Sequence, residues 1–259
     1  MLQLDRKVVL ITGASEGLGA ACASAFRRRG ARIAVTARNA EQLARVAGTD
    51  GLAVPGDLVQ AADRLNIVEK TLAHYGQIDV LVNNAGVGLY LTAFDAPMPQ
   101  VRALFDLNVF APLEMIQLVV PGMIQRGSGT IVNVGSVAGK VSLPWFTLYS
   151  ASKSALGALT DGLRMELRKH GVHAMTVCPS YLATDFQKHS LAGTPPPSMV
   201  RRRPLFTTPE ACAAAIVRGV ERSSRSVITP WQAHFFVAAA RLFPARTERS
   251  LEKLWRSAS

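Results

Sequence analysis

Short apolar runs rich in valine, isoleucine and threonine alternate along the chain with longer segments that have helical periodicity. Several runs are apolar throughout, which is typical of strands buried on both faces of a parallel sheet. The alternation favours right-handed βαβ units and a doubly wound α/β fold, with a seven-stranded parallel sheet between helices. The predicted strands are 7–13, 31–37, 52–57, 78–86, 130–136, 172–180 and 226–230, and the predicted helices are about 18–30, 60–75, 100–125, 149–170 and 208–223.

The chain has 259 residues, and no internal repeat or low-complexity linker divides it, so we predict a single domain over 1–259. Within it, prolines, a glycine and three arginines interrupt the periodicity at 186–208. This segment follows a strand on the side where such sheets bind ligands, so it is a candidate substrate lid. An ordinary surface loop is the alternative interpretation.

Positive charge is concentrated towards the end of the chain. The net charge is +11, and residues 201–259 hold eleven Lys or Arg against four Asp or Glu. Such a basic extension could attract anionic lipid, nucleic acid or an acidic carrier, but a solvated surface explains it equally well. We expect no nucleic-acid partner. The aromatic residues of 231–259 could form an interfacial helix on a membrane, although packing against the body or a neighbouring subunit is favoured; they are Trp231, Phe235, Phe236 and Trp255.

Cysteine and histidine usage indicates a reducing compartment and no metal site. The three cysteines have no CxxC spacing, and the five histidines form no HExxH or Cys/His cluster. The apolar stretch at 231–243 is too short to span a membrane, and the N-terminus does not resemble a secretory signal. We therefore expect a cytoplasmic protein.

A glycine-rich turn, "ITGASEGLGAACASAF", begins as the first strand ends and continues into a helix. Gly13 allows a tight turn, Gly17 a close approach of backbone to ligand, and Gly19 close helix–strand packing. These features would direct the N–H groups of a helix N-terminus at a pyrophosphate. Three glycines after a strand can also form a simple turn, but their place in the first βα unit favours phosphate binding.

Tyr149 and Lys153 stand four positions apart in "LYSASKSAL", so a helix over 149–170 would present both side chains on one face. Alone, this pair is equally consistent with a helix surface.

Together, TGxxxGxG, "NNAG" at 83–86 and "YSASK" at 149–153 resemble the short-chain dehydrogenase/reductase family over residues 6–230. The resemblance implies a seven-stranded Rossmann sheet and an NAD(P)(H)-dependent oxidoreductase that interconverts secondary alcohols and ketones or aldehydes. It also implies a homodimer or homotetramer assembled through the helices at about 100–125 and 149–170.

By the same resemblance, the catalytic set is Asn108, Ser136, Tyr149 and Lys153. Tyr149 would transfer the proton, with its anion favoured by the neighbouring ammonium of Lys153. Ser136 would bind the substrate oxygen, and Asn108 would support a water relay from Lys153.

The resemblance also suggests that Thr12 and Asn83 tie the first and fourth strands together. At the end of the second strand, Arg38 stands where NAD-binding sheets have an acidic residue, and a guanidinium suits the 2′-phosphate of NADP. Glu16 in the glycine turn opposes this, but NADP(H) is favoured over NAD(H). The expected cofactor-binding residues are Gly13, Ser15, Glu16, Gly17, Leu18, Gly19, Arg38, Asp57, Leu58, Asn84, Ala85, Gly86, Tyr149, Lys153, Pro179 and Thr184. Ser180 replaces a common family glycine, which puts the backbone there in doubt.

An apolar and aromatic lining suggests a hydrophobic carbonyl or alcohol substrate, although the same residues could be core. They are Leu89, Leu143, Trp145, Phe146, Tyr181 and Phe186. Two other functions stay open: a non-catalytic NAD(P)-sensing protein on the same fold, and a serine hydrolase suggested weakly by "VGSVAG", which lacks GxSxG placement.

Overall fold

A computed structural model describes residues 2–182, 184–195 and 205–256. The strands are β1 (Val8–Thr12), β2 (Arg32–Thr36), β3 (Leu52–Ala53), β4 (Val80–Asn83), β5 (Gly129–Val134), β6 (Val172–Pro179), β7 (Tyr181–Leu182), β8 (Phe206–Thr207) and β9 (Ser226–Thr229). The main sheet has seven parallel strands in the order β3-β2-β1-β4-β5-β6-β9, and two short strands, β7 and β8, pair beside it. All seven predicted strands are confirmed.

Helices cover both faces of the sheet. The described helices are α1 (Gly17–Arg27), α2 (Ala40–Ala47), α3 (Ala61–Tyr75), α4 (Met98–Phe105), α5 (Ala111–Arg126), α6 (Thr147–Leu167), α7 (Pro209–Glu221), α8 (Ala233–Leu242) and α9 (Pro244–Arg256). One face of the sheet carries α1, α2 and α7, packed on the inward residues of β1 and β2, and the other face carries α3, α5 and α6. The five predicted helical segments are confirmed, and α2 was not predicted.

The fourth and fifth helices are joined by a π-helical turn, Asp106–Phe110, into one continuous helix. This helix, Met98–Arg126, is long and apolar enough to cross a membrane by length and composition alone. A core helix of a globular domain has the same composition, and here Met115 and Met123 are fully buried against the sheet. The packed core explains its apolar character.

The strand order reverses between β1 and β4, so the connections leave these two strands in opposite directions. Doubly wound sheets bind ligands at the carboxyl ends of the strands at such a point. The candidate lid begins beside it with a 3-10 helix, Asp185–His189, and β7 and β8 bring the two ends of the segment together. Residues 196–204 of that segment lie outside the described residues.

Candidate active site

A cleft of about 620 Å³ lies along the carboxyl ends of the strands. It runs from the end of β2 to the N-terminal part of α6. The structure brings together most residues that the sequence predicted for cofactor and catalysis. Those that line the cleft are Gly13, Ser15, Glu16, Gly17, Leu18, Arg38, Asp57, Leu58, Asn84, Ala85, Gly86, Ser136, Tyr149, Lys153, Pro179 and Thr184.

Backbone atoms pack so closely around Gly13 and Gly19 of the glycine turn that neither position has room for a side chain. Gly13 has φ +62°, and a Cβ there would lie 2.7 Å from the Cα of Ala85. Gly19 lies behind the cleft, where a Cβ would lie 2.3 Å from the carbonyl oxygen of Gly13. The N-cap of α1, Glu16, makes no capping hydrogen bond with its side chain, and the first turn holds no acidic residue. The turn and the uncapped N–H groups therefore fit the pyrophosphate of a dinucleotide.

Thr12 links β1 to the loop after β4, but its partner is not Asn83. The Thr12 hydroxyl accepts hydrogen bonds from the backbone N–H groups of Asn84 (3.0 Å) and Ala85 (3.1 Å). The Asn84 side chain donates to the carbonyls of Thr12 and Gly13, at 2.9 Å each. Asn83 instead donates to Asn133 at 2.9 Å, because these two residues are register partners on β4 and β5. The predicted Thr12–Asn83 pair was wrong by one residue.

The end of the cleft away from Tyr149 lies beside Arg38, which is exposed and precedes α2. Asn39 caps α2 by accepting a hydrogen bond from the N–H of Gln42 at 3.0 Å. Asp57 accepts a hydrogen bond from the N–H of Val59 at 3.1 Å, so its carboxylate is held at the cleft wall.

The carboxylate of Glu16 has a partner that the sequence did not indicate. The Nε2 atom of His189 lies 2.7 Å from an oxygen of Glu16. His189 comes from the 3-10 helix that begins the candidate lid, so this contact joins the lid to the glycine turn. Nearby, a Cβ on Gly17 would lie 3.2 Å from the methyl group of Thr184. The segment 184–189 therefore packs against the glycine turn.

Tyr149 and Lys153 belong to the buried face of α6, as their spacing predicted. The Lys153 ammonium donates a hydrogen bond of 2.9 Å to the carbonyl of Val134, at the end of β5. Its Nζ atom also lies 5.8 Å from the centroid of the Tyr149 ring. Close packing of α6 on the turn Val137–Gly139 requires Gly139, where a Cβ would lie 2.8 Å from the backbone of Lys153.

Burial controls the protonation of both groups in the free protein. It raises the pKa of Tyr149 well above its usual value, and a hydrogen bond with Ser136 opposes this effect. Burial also lowers the pKa of Lys153 to about 8. That the Lys153 ammonium favours the Tyr149 anion stays a prediction.

Ser136 lies between the strand end and α6. Its hydroxyl caps the turn that follows by accepting a hydrogen bond from the N–H of Ala138 at 3.0 Å. It also donates to the carbonyl of Pro179 at 3.5 Å, and it lies close enough to Tyr149 to lower the pKa of the phenol. Ser180, after Pro179, has no positive φ, and its N–H donates to Thr229 at 2.8 Å. The missing family glycine therefore leaves this backbone unstrained.

Asn108 lies in the π-helical turn and is fully buried behind the cleft. It accepts from the N–H of Val87 at 2.9 Å and donates to the carbonyl of Val87 at 3.0 Å and to Ser152 at 3.1 Å. A Cβ on Gly86 would lie 3.0 Å from the Asn108 oxygen and 3.2 Å from the Lys153 ammonium. Asn108 therefore lies near Lys153, but its backbone hydrogen bonds are made with Val87.

Aromatic side chains lie at the Tyr149 end of the cleft. Phe146 stacks on Tyr149 with a centroid distance of 4.0 Å and on Tyr90 with one of 4.3 Å, and Phe186 meets Tyr149 edge-on at 5.9 Å. Of the predicted lining, Phe146, Tyr181 and Phe186 face the cleft.

Three residues predicted for the substrate lining belong to the core instead. Leu89 is fully buried, and Trp145 stacks on Trp255 of α9 at 6.0 Å. Leu143 packs between two hydrophobic clusters beside the cleft. Apolar residues near a site serve as core or as lining, and the sequence pattern is the same for both.

The family model for short chain dehydrogenases matches residues 7–194. The chain is 33% identical over 241 residues to the ketoacyl reductase HetN of Nostoc, and the match covers 88% of this chain and 80% of that protein. Among solved structures, it is similar to a short-chain dehydrogenase from Sphingobium yanoikuyae in complex with NADPH, with a TM-score of 0.78, 29% identity and 94% of each chain covered. It is also similar to the 3-ketoacyl-(acyl-carrier-protein) reductase from Brucella melitensis complexed with NADH, with a TM-score of 0.80, 25% identity, and 87% of this chain and 97% of that chain covered.

The chain therefore belongs to the short-chain dehydrogenase family, an oxidoreductase family, and the predicted Rossmann-like fold is confirmed.

Proposed function

We propose that this protein is an NADP(H)-dependent oxidoreductase that interconverts a hydrophobic secondary alcohol and its ketone, or an aldehyde. The observation that carries the proposal is the convergence of Ser136, Tyr149 and Lys153 at one end of a cleft. The other end of the same cleft holds the glycine turn, and Asn108 lies directly behind Lys153.

In ketone reduction, the nicotinamide supplies the hydride that reaches the carbonyl carbon. The chain's own residues handle the oxygen. Tyr149 donates its proton to that oxygen and accepts one in alcohol oxidation, and the Ser136 hydroxyl orients the substrate through a hydrogen bond. Lys153 is anchored at Val134 beside the phenol, where its ammonium stabilises negative charge. Asn108 holds the backbone of Val87 and borders Lys153.

Charge at the end of β2 supports NADP(H) over NAD(H). Arg38 is exposed at the cleft, and a guanidinium binds a phosphate by charge and by forked geometry. Glu16 opposes phosphate binding, but its contact with His189 offsets part of that repulsion. Similar structures bind either NADPH or NADH, so the preference rests on this chain's own residues.

The stacked rings of Tyr90, Phe146 and Tyr149 support a hydrophobic substrate, since they leave a flat apolar wall beside the phenol. Reduction of a ketoacyl group is one case of this chemistry, and it is the activity for which the relative HetN is named.

The experiment is NADPH oxidation by the purified protein over aromatic, aliphatic and steroid-like ketones, comparing wild type with Tyr149→Phe. We expect turnover to fall at least a hundredfold, within the range that general acid catalysis contributes. Tyr75→Phe is the matched control, because Tyr75 ends α3 outside the cleft, where its hydroxyl donates a hydrogen bond to the carbonyl of Ile33. Unchanged reduction by Tyr149→Phe would contradict the mechanism. Tight NADPH binding by wild type without turnover of any ketone would favour the non-catalytic sensor.

We also propose a cytoplasmic homodimer or homotetramer. Phe110 and Met165 are 50% and 73% exposed on the two long helices that the family resemblance assigns to assembly. Light scattering coupled to size exclusion tests this: a monomer at micromolar concentration would contradict it.

A further inference from the structure

The helix α8 is apolar on two opposite sides. Ala233 and Val237 are buried against the body, which accounts for one side. The other side is exposed to solvent, with Trp231 at 66%, Phe235 at 67% and Leu242 at 73% exposure, followed by Phe243 at 55%. Positions 231, 235, 238 and 242 follow helical spacing, so these side chains lie along one line. We call Trp231, Phe235, Ala238, Leu242 and Phe243 the exposed apolar stripe.

The four aromatic residues that the sequence analysis grouped together have two different roles in the structure. Phe236 is half-buried against the cluster that contains Val137 and Val141, and Trp255 stacks on Trp145. Those two aromatic residues hold α8 and α9 on the body, as the favoured interpretation expected. Trp231 and Phe235 point outwards and contact each other edge-on at 5.6 Å. These two side chains are therefore not required to pack α8 on the rest of the protein. Large apolar patches of this kind mark interaction surfaces.

The segment 231–247, which carries the stripe, has fixed charges of one sign. Residues 231–247 contain Arg241 and Arg246 and no Asp or Glu. Arg241 is exposed next to Leu242, and the Arg246 guanidinium lies 5.7 Å above the Phe243 ring. An interfacial helix combines apolar side chains with arginines in this way, since the rings enter the acyl boundary and the cations meet anionic headgroups.

A second copy of the chain fits this surface poorly. A symmetric contact places the same patch on both sides, so Arg241 and Arg246 would face a second basic patch, and residues 231–247 of the copy offer them no carboxylate. An anionic bilayer neutralises both arginines, and Trp231 has the amphipathic ring that favours the membrane interface. The ten-residue helix is too short to span.

We propose that the exposed apolar stripe docks this protein on the surface of an anionic phospholipid bilayer. The proposal goes beyond the proposed reaction and does not depend on it. Its link to the cleft is α9, where Trp255 meets Trp145 in the same hydrophobic cluster as Phe146 and Tyr149. Docking would bring the aromatic side of the protein towards the source of an apolar substrate.

The first test is sedimentation of the full chain with vesicles of phosphatidylglycerol and phosphatidylcholine, or of phosphatidylcholine alone, at low and high salt. We expect binding to the anionic vesicles that weakens with salt. Phe235→Ser with Leu242→Ser should lower the affinity at least tenfold. The control pair is Phe94→Ser with Met98→Ser, because these side chains are 87% and 57% exposed elsewhere on the surface. It should bind as wild type does.

The second test removes charge. Arg241→Gln with Arg246→Gln should weaken binding to anionic vesicles about 25-fold, from about fivefold for each arginine near such a surface. Arg45→Gln with Arg102→Gln is the control, since both arginines are exposed on other helices.

Trp231 provides a readout that needs no core variant. Its emission should shift to the blue on addition of anionic vesicles, and Trp231→Phe should remove the shift, because Trp145 and Trp255 are already packed together. The proposal is overturned if wild type does not bind anionic vesicles at low salt or if the control pair loses binding equally. It is also overturned if Phe235→Ser with Leu242→Ser dissociates an oligomer while leaving vesicle binding unchanged.

Discussion

The ammonium of Lys153 lies 5.8 Å from the ring centroid of Tyr149 while it donates a hydrogen bond to the carbonyl of Val134 at 2.9 Å. The lysine is therefore held by strand β5 and not only by its own helix. Both side chains are less than one-tenth exposed. Their titration is consequently part of the folding free energy as well as of the proposed chemistry.

Removing the Lys153 charge should change how stability depends on pH. Burial lowers the pKa of Lys153 from 10.5 to about 8, so between these values the unfolded chain binds a proton that the folded chain does not. Stability from this group therefore rises with pH in that window. We expect the stability of wild type relative to Lys153→Met to increase by about 2 kcal/mol between about pH 7.5 and about pH 9.5. Urea unfolding at the two pH values measures it.

The comparison of variants is needed because other buried groups act in the opposite direction. Burial raises the pKa of Tyr149 and Cys22 and raises that of Cys212 to about 12, so their contributions fall as pH rises above the unfolded values. The contributions of Cys22 and Cys212 are common to both proteins and cancel in the comparison. Lys169→Met, in the exposed turn Arg168–His170, is the control variant for loss of a lysine. A constant difference between wild type and Lys153→Met would contradict the assignment.

A methyl group at Gly19 should disrupt the dinucleotide turn. A Cβ there would lie 2.3 Å from the Gly13 oxygen and 2.7 Å from the Asn84 side-chain nitrogen, so α1 must move away from β1. We expect Gly19→Ala to cost about 1–3 kcal/mol of stability and to weaken NADPH binding at least tenfold. Gly162→Ala is the matched control, since nothing lies within 4 Å of its Cβ, and it should stabilise α6 by about 1 kcal/mol. Equal NADPH affinity for both variants would contradict a role of the glycine turn in NADPH binding.

The sheet could be predicted because buried parallel strands leave continuous apolar runs in the sequence. The helix α2 was missed for the opposite reason: it has eight residues and buries only Leu43 and Ala47. Its signal was the cap at Asn39, which a pattern of apolar spacing does not detect.

The shared helix face of Tyr149 and Lys153 could be predicted because their spacing on α6 is local, whereas Asn108 and Ser136 were assigned by the family resemblance. The partner of Glu16 could not be predicted from the sequence, because His189 reaches the glycine turn only when the segment after β7 folds over it. The one-residue error at Asn83 has a similar origin. Alternation along β4 decides which face each side chain takes, and only the register with β5 shows that Asn83 faces Asn133.

Phe146 should position the phenol of Tyr149. Its ring is stacked between Tyr149 and Tyr90, at 4.0 Å and 4.3 Å. Phe146→Leu keeps an apolar side chain but removes both stacks, so we expect kcat for ketone reduction to fall about tenfold and the KM for NADPH to stay within about twofold. Phe94→Leu, at 87% exposure, is the control. A rise in the KM for NADPH with unchanged kcat would assign Phe146 to cofactor binding instead.

Arg38 should set the preference for NADPH. An exposed guanidinium at the end of β2 gains a charge-assisted contact only from the cofactor that carries a 2′-phosphate. We expect Arg38→Ala to raise the KM for NADPH about tenfold or more and to leave the KM for NADH within about twofold. Arg45→Ala is the control on α2, where Arg45 pairs with Glu41 outside the cleft. Equal effects on both cofactors would contradict a phosphate-specific role.

The contact between Glu16 and His189 should modulate the same preference. Glu16 places a carboxylate in the glycine turn, and His189 approaches it to 2.7 Å while both side chains stay about half exposed. Because exposed pairs are weak, we expect Glu16→Gln to raise kcat/KM for NADPH about twofold to fivefold, and His189→Gln to lower it by a similar factor. The NADH values should change less, since that cofactor has no 2′-phosphate to repel. The double variant separates the two causes: with Gln at position 16, His189→Gln should have no further effect on NADPH. If His189→Gln lowers kcat/KM equally with and without the Glu16 carboxylate, His189 acts on the lid and not through that charge.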